Sequence, residues 1–226
     1  MSNPAAAGPV APSAAASGTL RPVPFGAVRI TGGLWAARQR VNRDVAIPSG
    51  REHLDTSGNL ENLRTAAAGG TGGEARGLVF MDSDVYKWLE AAAWEHGREP
   101  APELLAEQRA VTAVVAAAQQ PDGYLDSVVQ IRDGGERYRD LPWSHEHYCA
   151  GHLMQAAVAQ ARATGDRALL DVAVRLADHL VETFGQDRRH DVDGHPIVEM
   201  ALVELYRETG ERRYLDLAGY FVDARG

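Results

Sequence analysis

The 226-residue sequence carries a formal net charge of −8, with 45% hydrophobic and 24% charged residues, the balance of a globular chain able to bury about 70% of its unfolded surface. The acidic balance excludes a nonspecific nucleic-acid binder, and no apolar run reaches the roughly 18 residues of a membrane span. Cys149 is the only cysteine, which excludes an intramolecular disulfide framework and fits a reducing, cytoplasmic setting.

Residues 1–22 form an Ala/Pro/Ser-rich tail with no charge from Met1 to Leu20. A secretory leader needs a basic start and a continuous apolar core, and both are missing, so the tail reads as disordered. Residues 23–226 read as one folded unit. Val23–Ile30 is a short extended segment, Leu34–Ala46 a helix with Leu34, Ala37, Val41 and Val45 near one face, Pro48–Gly58 a turn, and Asn59–Ala68 a short helix. The glycine-rich stretch Ala68–Gly77 is a loop, without the Gly-Lys-Ser/Thr ending of a phosphate loop.

Helix then follows helix. Asp82 or Ser83 caps one that runs to about His96, where Gly97 stops it. Pro102 opens the next, which runs to about Gln120, and Pro121-Asp122-Gly123 turns the chain into a long loop, Leu125–Pro142, with room for a short hairpin. Ser144 caps a helix to Ala163. Gly165-Asp166 is a tight turn into a helix ending near Phe184, Gly185–His195 is a loop, Pro196 opens a helix to about Glu208, and the last helix runs from Glu211 to about Asp223.

Two hairpins repeat. T-G-D-R-A-L-L-D-V-A, starting at Thr164, aligns with T-G-E-R-R-Y-L-D-L-A, starting at Thr209, 45 residues later. A helical-pair repeat of that period implies an α-solenoid or a closed α/α toroid. Connections alternate between short (at Arg98–Ala101, Thr164–Asp166 and Thr209–Glu211) and long (Ala68–Asp82, Pro121–Trp143 and Gly185–His195). In an up-down array the three long loops share one end, and loops on a rigid scaffold are where sites are built. Phe80, Asp82, Asp122, Tyr124, Trp143, His145 and His195 fall at that end.

The stretch L-P-W-S-H-E-H-Y-C-A-G, Leu141 to Gly151, is the centre of this arrangement; three of the eight histidines lie between Ser144 and His152. His145, Cys149 and His152 share a helical face and open a metal reading, against simple core packing of the last two. A cysteine–histidine nucleophile pair is disfavoured for a thiol inside a packed helix. Asp82, Asp122 and Glu146 open a paired-carboxylate reading, against capping, turn formation and first-turn placement. Tyr124 and Trp143 either stack on a ligand or pack in the core.

The motifs F-M-D-S-D-V-Y-K-W-L-E-A from Phe80, Q-Q-P-D-G-Y-L-D from Gln119, H-E-H-Y-C-A-G-H-L from His145, V-D-G-H-P-I-V-E-M-A-L-V-E-L-Y from Val192 and Y-F-V-D-A-R-G from Tyr220 resemble the N-terminal part of glycoside hydrolase family 127, the β-L-arabinofuranosidases. The resemblance implies an all-α fold, with helical hairpins forming about half of an (α/α)6 toroid, three hairpins where six are expected. It implies retaining hydrolysis of terminal arabinofuranosides. It places a zinc-bound cysteine nucleophile and an acid/base glutamate beyond this sequence, so no catalytic residue, metal or cofactor is expected within it. What it carries onto this chain is substrate contact by Phe80, His145 and His195. The expected partner is a carbohydrate, not nucleic acid or membrane, with self-association through the exposed edge of the half toroid. Two rival readings stand beside it. One is a noncatalytic helical-repeat module for a protein partner; the other is a toroid glycosidase or lyase acting on uronides, for which Arg132, Arg137 and Arg139 lie at the loop end.

Overall fold

The computed structural model describes residues 8–10, 12–13, 15–20, 22–132 and 136–226. Residues 1–7, 11, 14 and 21 of the tail assigned to residues 1–22 therefore lie outside the described residues, as do residues 133–135 of the long loop. Among the described residues the ordered elements are helical, with one isolated bridge between Phe184 and Arg189. They are α1 (Gly33–Val41), α2 (Ile47–Thr56), α3 (Asn59–Ala67), α4 (Met81–Arg98), α5 (Pro102–Ala118), α6 (Ser127–Arg132), α7 (Leu141–Ser144), α8 (Glu146–Thr164), α9 (Ala168–Thr183), α10 (Val198–Thr209) and α11 (Arg212–Arg225).

The expected hairpins are α4/α5, α8/α9 and α10/α11. Helix α8 packs most heavily on α4 and then on α10, while α9 touches α5 and α11, which makes two layers of helices. The starts of α4, α8 and α10 meet at one end, so these three run parallel, as the inner helices of a toroid do. Their partners return on the outside. The layers are joined by one core in which Leu89, Leu153, Leu169, Leu202, Tyr214 and Phe221 are fully buried. In α9 the buried residues Leu169, Leu170, Val172, Ala173, Leu176, Ala177 and Leu180 recur at helical spacing. Each buried leucine there contributes about 1.5–3 kcal/mol, which holds the helix to the layer.

The repeated Thr-Gly-acid turn is the same object twice. Thr164 Oγ1 donates to the Gln160 carbonyl at 2.7 Å and Thr209 Oγ1 to the Leu205 carbonyl at 2.8 Å. Gly165 and Gly210 then take left-handed conformations, φ 77° and 81°, and the next acid's N–H returns to the threonine hydroxyl. Only glycine enters that region without a steric penalty, so it ends each helix.

Several expectations are corrected. Residues expected to be extended near Val23–Ile30 contain a 3-10 turn, Phe25–Ala27. The turn expected at Pro48–Gly58 is helix α2: α1 passes through a π-helical segment, Asn42–Ala46, directly into it. The Ile47 N–H donates to the Asn42 carbonyl, five residues back, and this wider turn shifts the ladder where Pro48 supplies no N–H. Helix α1–α2 lies along α4, with the Trp88 indole N–H donating to the Ile47 carbonyl at 2.9 Å and Arg43 reaching Glu95 and Glu99. Gly97 does not stop α4, which continues to Arg98. No side chain caps α4, because Asp82 accepts from the Ser127 N–H at 2.7 Å and from its hydroxyl, which anchors α6. Leu125–Pro142 holds α6 and the start of α7 rather than a hairpin. Ser144 does not cap α8; that position is His145, and the serine hydroxyl donates to Glu146 at 2.6 Å.

Candidate functional site

The site forms where the loops before α4, α8 and α10 converge. His145 stands immediately before α8 with φ 62°, a left-handed conformation that costs a non-glycine residue on the order of 1–2 kcal/mol. Tyr138, at φ 59°, shares it. Glu146 holds the segment between them. Its carboxylate accepts from the Tyr138 N–H at 3.0 Å, the Tyr124 hydroxyl at 2.5 Å and the Ser144 hydroxyl at 2.6 Å. Burial raises the Glu146 carboxyl above its ordinary value, and these donors offset part of the rise.

The structure brings the three sequence-derived residues together. The His145 ring lies 5.4 Å from that of Phe80 and 4.6 Å from that of His195. His145 Nδ1 is 2.7 Å from the Trp143 carbonyl, which only accepts, so Nδ1 carries a proton and Nε2 is the nitrogen that can accept. Phe80 and His145 are half-buried and His195 is exposed, so all three present atoms to solvent.

Sequence reasoning missed two members of this wall. Tyr148 lies edge-on to His145, His195 and His152, at 5.6, 5.5 and 4.6 Å. The Lys87 ammonium donates to the Tyr148 hydroxyl at 2.8 Å and to Ser83 Oγ at 3.1 Å. Burial and the Lys87 charge bring the His152 imidazole down to about 4, so it is neutral at pH 7. Helical spacing held the signal: Tyr148 is three residues after His145, and Lys87 is seven after Phe80.

The other candidates are placed elsewhere. Tyr124 is buried, with its hydroxyl on Glu146 and Arg137 4.2 Å from its ring centre, so it has no face for a ligand. Trp143 is 74% exposed and outside the core. Asp82 and Glu146 are buried on internal donors and Asp122 pairs with Arg137, so these three candidates present no carboxylate pair to the site. Cys149 is buried, and burial pushes its thiol well up, which leaves it without nucleophilic thiolate. Among the described residues no three His, Cys, Asp or Glu side chains are disposed to hold a metal ion, so the residues present do not fit a zinc centre. The arginines that kept a uronide reading open have internal partners: Arg132 on the Gly77 carbonyl, Arg137 on Asp122 and Gln120, Arg139 on Glu136.

Residues 27–226 match the family model for the GH127 catalytic domain of β-L-arabinofuranosidases. The non-reducing end β-L-arabinofuranosidase of Bifidobacterium longum subsp. longum is 44% identical over 185 residues, covering 79% of this chain and 28% of that protein. Among solved structures, the GH127 β-L-arabinofuranosidase of Geobacillus stearothermophilus T6 superposes with a TM-score of 0.84 at 41% identity, covering 88% of this chain and 32% of its own. A second GH127 β-arabinofuranosidase superposes with a TM-score of 0.86 at 37% identity, covering 90% and 34%. The chain thus spans about a third or less of the length of each of these relatives.

Proposed function

From the premise that this chain belongs to the GH127 β-L-arabinofuranosidase catalytic-domain family, we propose that it supplies the sugar-binding wall of a retaining glycoside hydrolase acting on terminal β-L-arabinofuranosides. The observation that carries the reading is the convergence of Phe80, His145 and His195 from three separate loops. A neutral imidazole Nε2 accepts from a sugar hydroxyl, and the Phe80 ring packs on sugar C–H groups; together they fix a small polar ring in one orientation. The reading assigns binding to these residues and not bond cleavage.

The test is a titration of the chain with methyl β-L-arabinofuranoside, followed by NMR of the histidine Cε1–Hε1 groups. The His145 and His195 signals are expected to move together. His145→Ala and His195→Ala are each expected to weaken binding by about 1–1.5 kcal/mol, roughly tenfold. A titration that moves neither imidazole would remove both from the site.

Among the described residues no helix is long and apolar enough to cross a membrane, and the proposed location is the cytoplasm. The proposed self-association uses two exposed apolar edges, Leu34 and Val41 on α1 with Val45 on the π-helical segment after it, and Met200 and Val222 on the last hairpin. Sedimentation equilibrium is expected to show association that strengthens with concentration and weakens in Met200→Glu. A concentration-independent monomer mass would refute the pairing.

A further inference from the structure

We propose that Asp193 is the positioning residue that sets the His145–His195 pair, by bridging the first turn of α8 to the loop that carries His195. The inference rests on the sugar-wall reading for its purpose, though not for its geometry.

Asp193 is 1% exposed. Its Oδ2 accepts from the Tyr148 N–H at 3.1 Å, and its Oδ1 accepts from the His195 N–H at 2.9 Å. The Tyr148 amide belongs to the first turn of α8, whose N–H groups have no partner inside the helix. No side chain of α8's own flank caps it, so the capping oxygen arrives from another loop, at the end where the helix dipole favours an anion. The second oxygen closes an Asp turn onto His195. One planar group therefore ties the backbone three residues after His145 to the backbone of His195, whose rings lie 4.6 Å apart.

The surroundings leave this bridge little slack. A Cβ on Gly194 would lie 2.4 Å from the Pro142 carbonyl oxygen, so the His195 loop presses directly on α7. A Cβ on Gly151 would lie 2.8 Å from Ile197 Cγ2 and 2.9 Å from the Val198 N, so α8 and the start of α10 touch closely just below. Arg225 Nη1 donates to the Asp193 carbonyl at 2.6 Å while its guanidinium holds Glu199 at 2.7 Å, which fixes the loop from α11. A buried carboxylate is a costly residue for packing alone. Here both its oxygens go to backbone amides of the two site-bearing segments.

The experiment uses the chain with isotope-labelled histidine and reads the cross-relaxation between the His145 and His195 ring protons, with and without methyl β-L-arabinofuranoside. Asp193→Asn keeps the shape and one acceptor oxygen; Asp193→Ala removes both. In a variant with wild-type circular dichroism and a cooperative melt, the inter-imidazole cross-peak is expected to disappear and sugar affinity to fall by about 10–100-fold. A folded variant that keeps the cross-peak overturns the proposal. If neither variant folds, amide hydrogen exchange in the wild-type chain decides: both the Tyr148 and His195 amides must be protected, and fast exchange at either overturns the bridge. A wild-type chain that shows the cross-peak, loses it in Asp193→Asn and binds no sugar would sink the sugar-wall reading while leaving the bridge intact.

Discussion

Replacing Arg162 with leucine is expected to destabilise the chain by about 3–5 kcal/mol, read as a lowered urea midpoint at unchanged slope. Arg162 lies in the last turn of α8 and is 2% exposed. It donates to Glu204 at 3.0 Å and to Glu208 at 3.1 Å, both on α10 and both buried in the contact between the two inner helices. Its Nη1 also reaches the Gly8 carbonyl at 3.1 Å. Leucine fills a similar volume but leaves two carboxylates facing each other away from water. Arg207 and Arg167 approach them from the more exposed side and compensate only in part. The effect belongs to the stranded charges, not to the loss of a favourable bond. The triple change Arg162→Leu, Glu204→Leu, Glu208→Gln is therefore expected to recover most of the stability, because a buried ion cluster and an apolar contact of like volume are close in free energy. A triple variant no more stable than Arg162→Leu would show that the ion pairs themselves hold α8 to α10.

The same helix shows which parts of the molecule a sequence states locally. The hairpins were legible because their signals are contiguous: Thr164-Gly165-Asp166 and Thr209-Gly210-Glu211 contain the hydroxyl, the left-handed glycine and the acid of one turn within three residues. Loop lengths placed Phe80, His145 and His195 at one end together with Asp82, Asp122, Tyr124 and Trp143, since alternate connections of an up-down array share an end; the family resemblance singled out the three. Long-range partners were not legible. Asp82 reads as a helix cap until Ser127, 45 residues on, takes its oxygens. Ser144 reads as a cap until Glu146 competes for its hydroxyl. Asp193 lies in the loop Gly185–His195, where its Oδ1 closes a turn onto His195, but the bond to Tyr148 is visible only in three dimensions. Pro48 misled because the rule that proline breaks a helix assumes four-residue hydrogen bonding, and the π segment before it suspends that spacing. Asp82 and Asp193 share a cause: each has a strong local preference, and the fold uses it for a partner 45 residues along the chain.

His147 carries the second large effect, a loss of stability in acid. It follows Glu146 on α8, yet its ring points the other way from that of His145, into the core between Phe184 at 4.5 Å and Phe221 at 4.9 Å. It is 1% exposed, and neither ring nitrogen has a hydrogen-bond partner among the described residues. Burial, with Arg225 adding to it, holds the imidazole down at about 3 in the folded chain, against an ordinary 6.5. The folded pKa is depressed, so between about pH 6.5 and pH 3 the unfolded chain binds more protons than the folded one. Stability from this residue is complete above pH 6.5 and falls as the pH drops toward 3, by on the order of 4 kcal/mol. Asp126, Asp82, Glu146 and Asp193 act in the opposite sense. Burial raises each of them in the folded state, so the stability they add in acid is lost as the pH rises through their folded values. The measured slope of the wild-type chain is the sum of both. His147→Phe separates them: it removes the titration, matches the aromatic contacts and leaves the carboxylates in place. The urea midpoint of His147→Phe minus that of wild type is expected to rise between pH 7 and pH 4, with the variant the more stable of the two at pH 4. Parallel pH profiles for the two proteins would mean that the imidazole reaches a proton acceptor in solution and that its burial carries no such penalty.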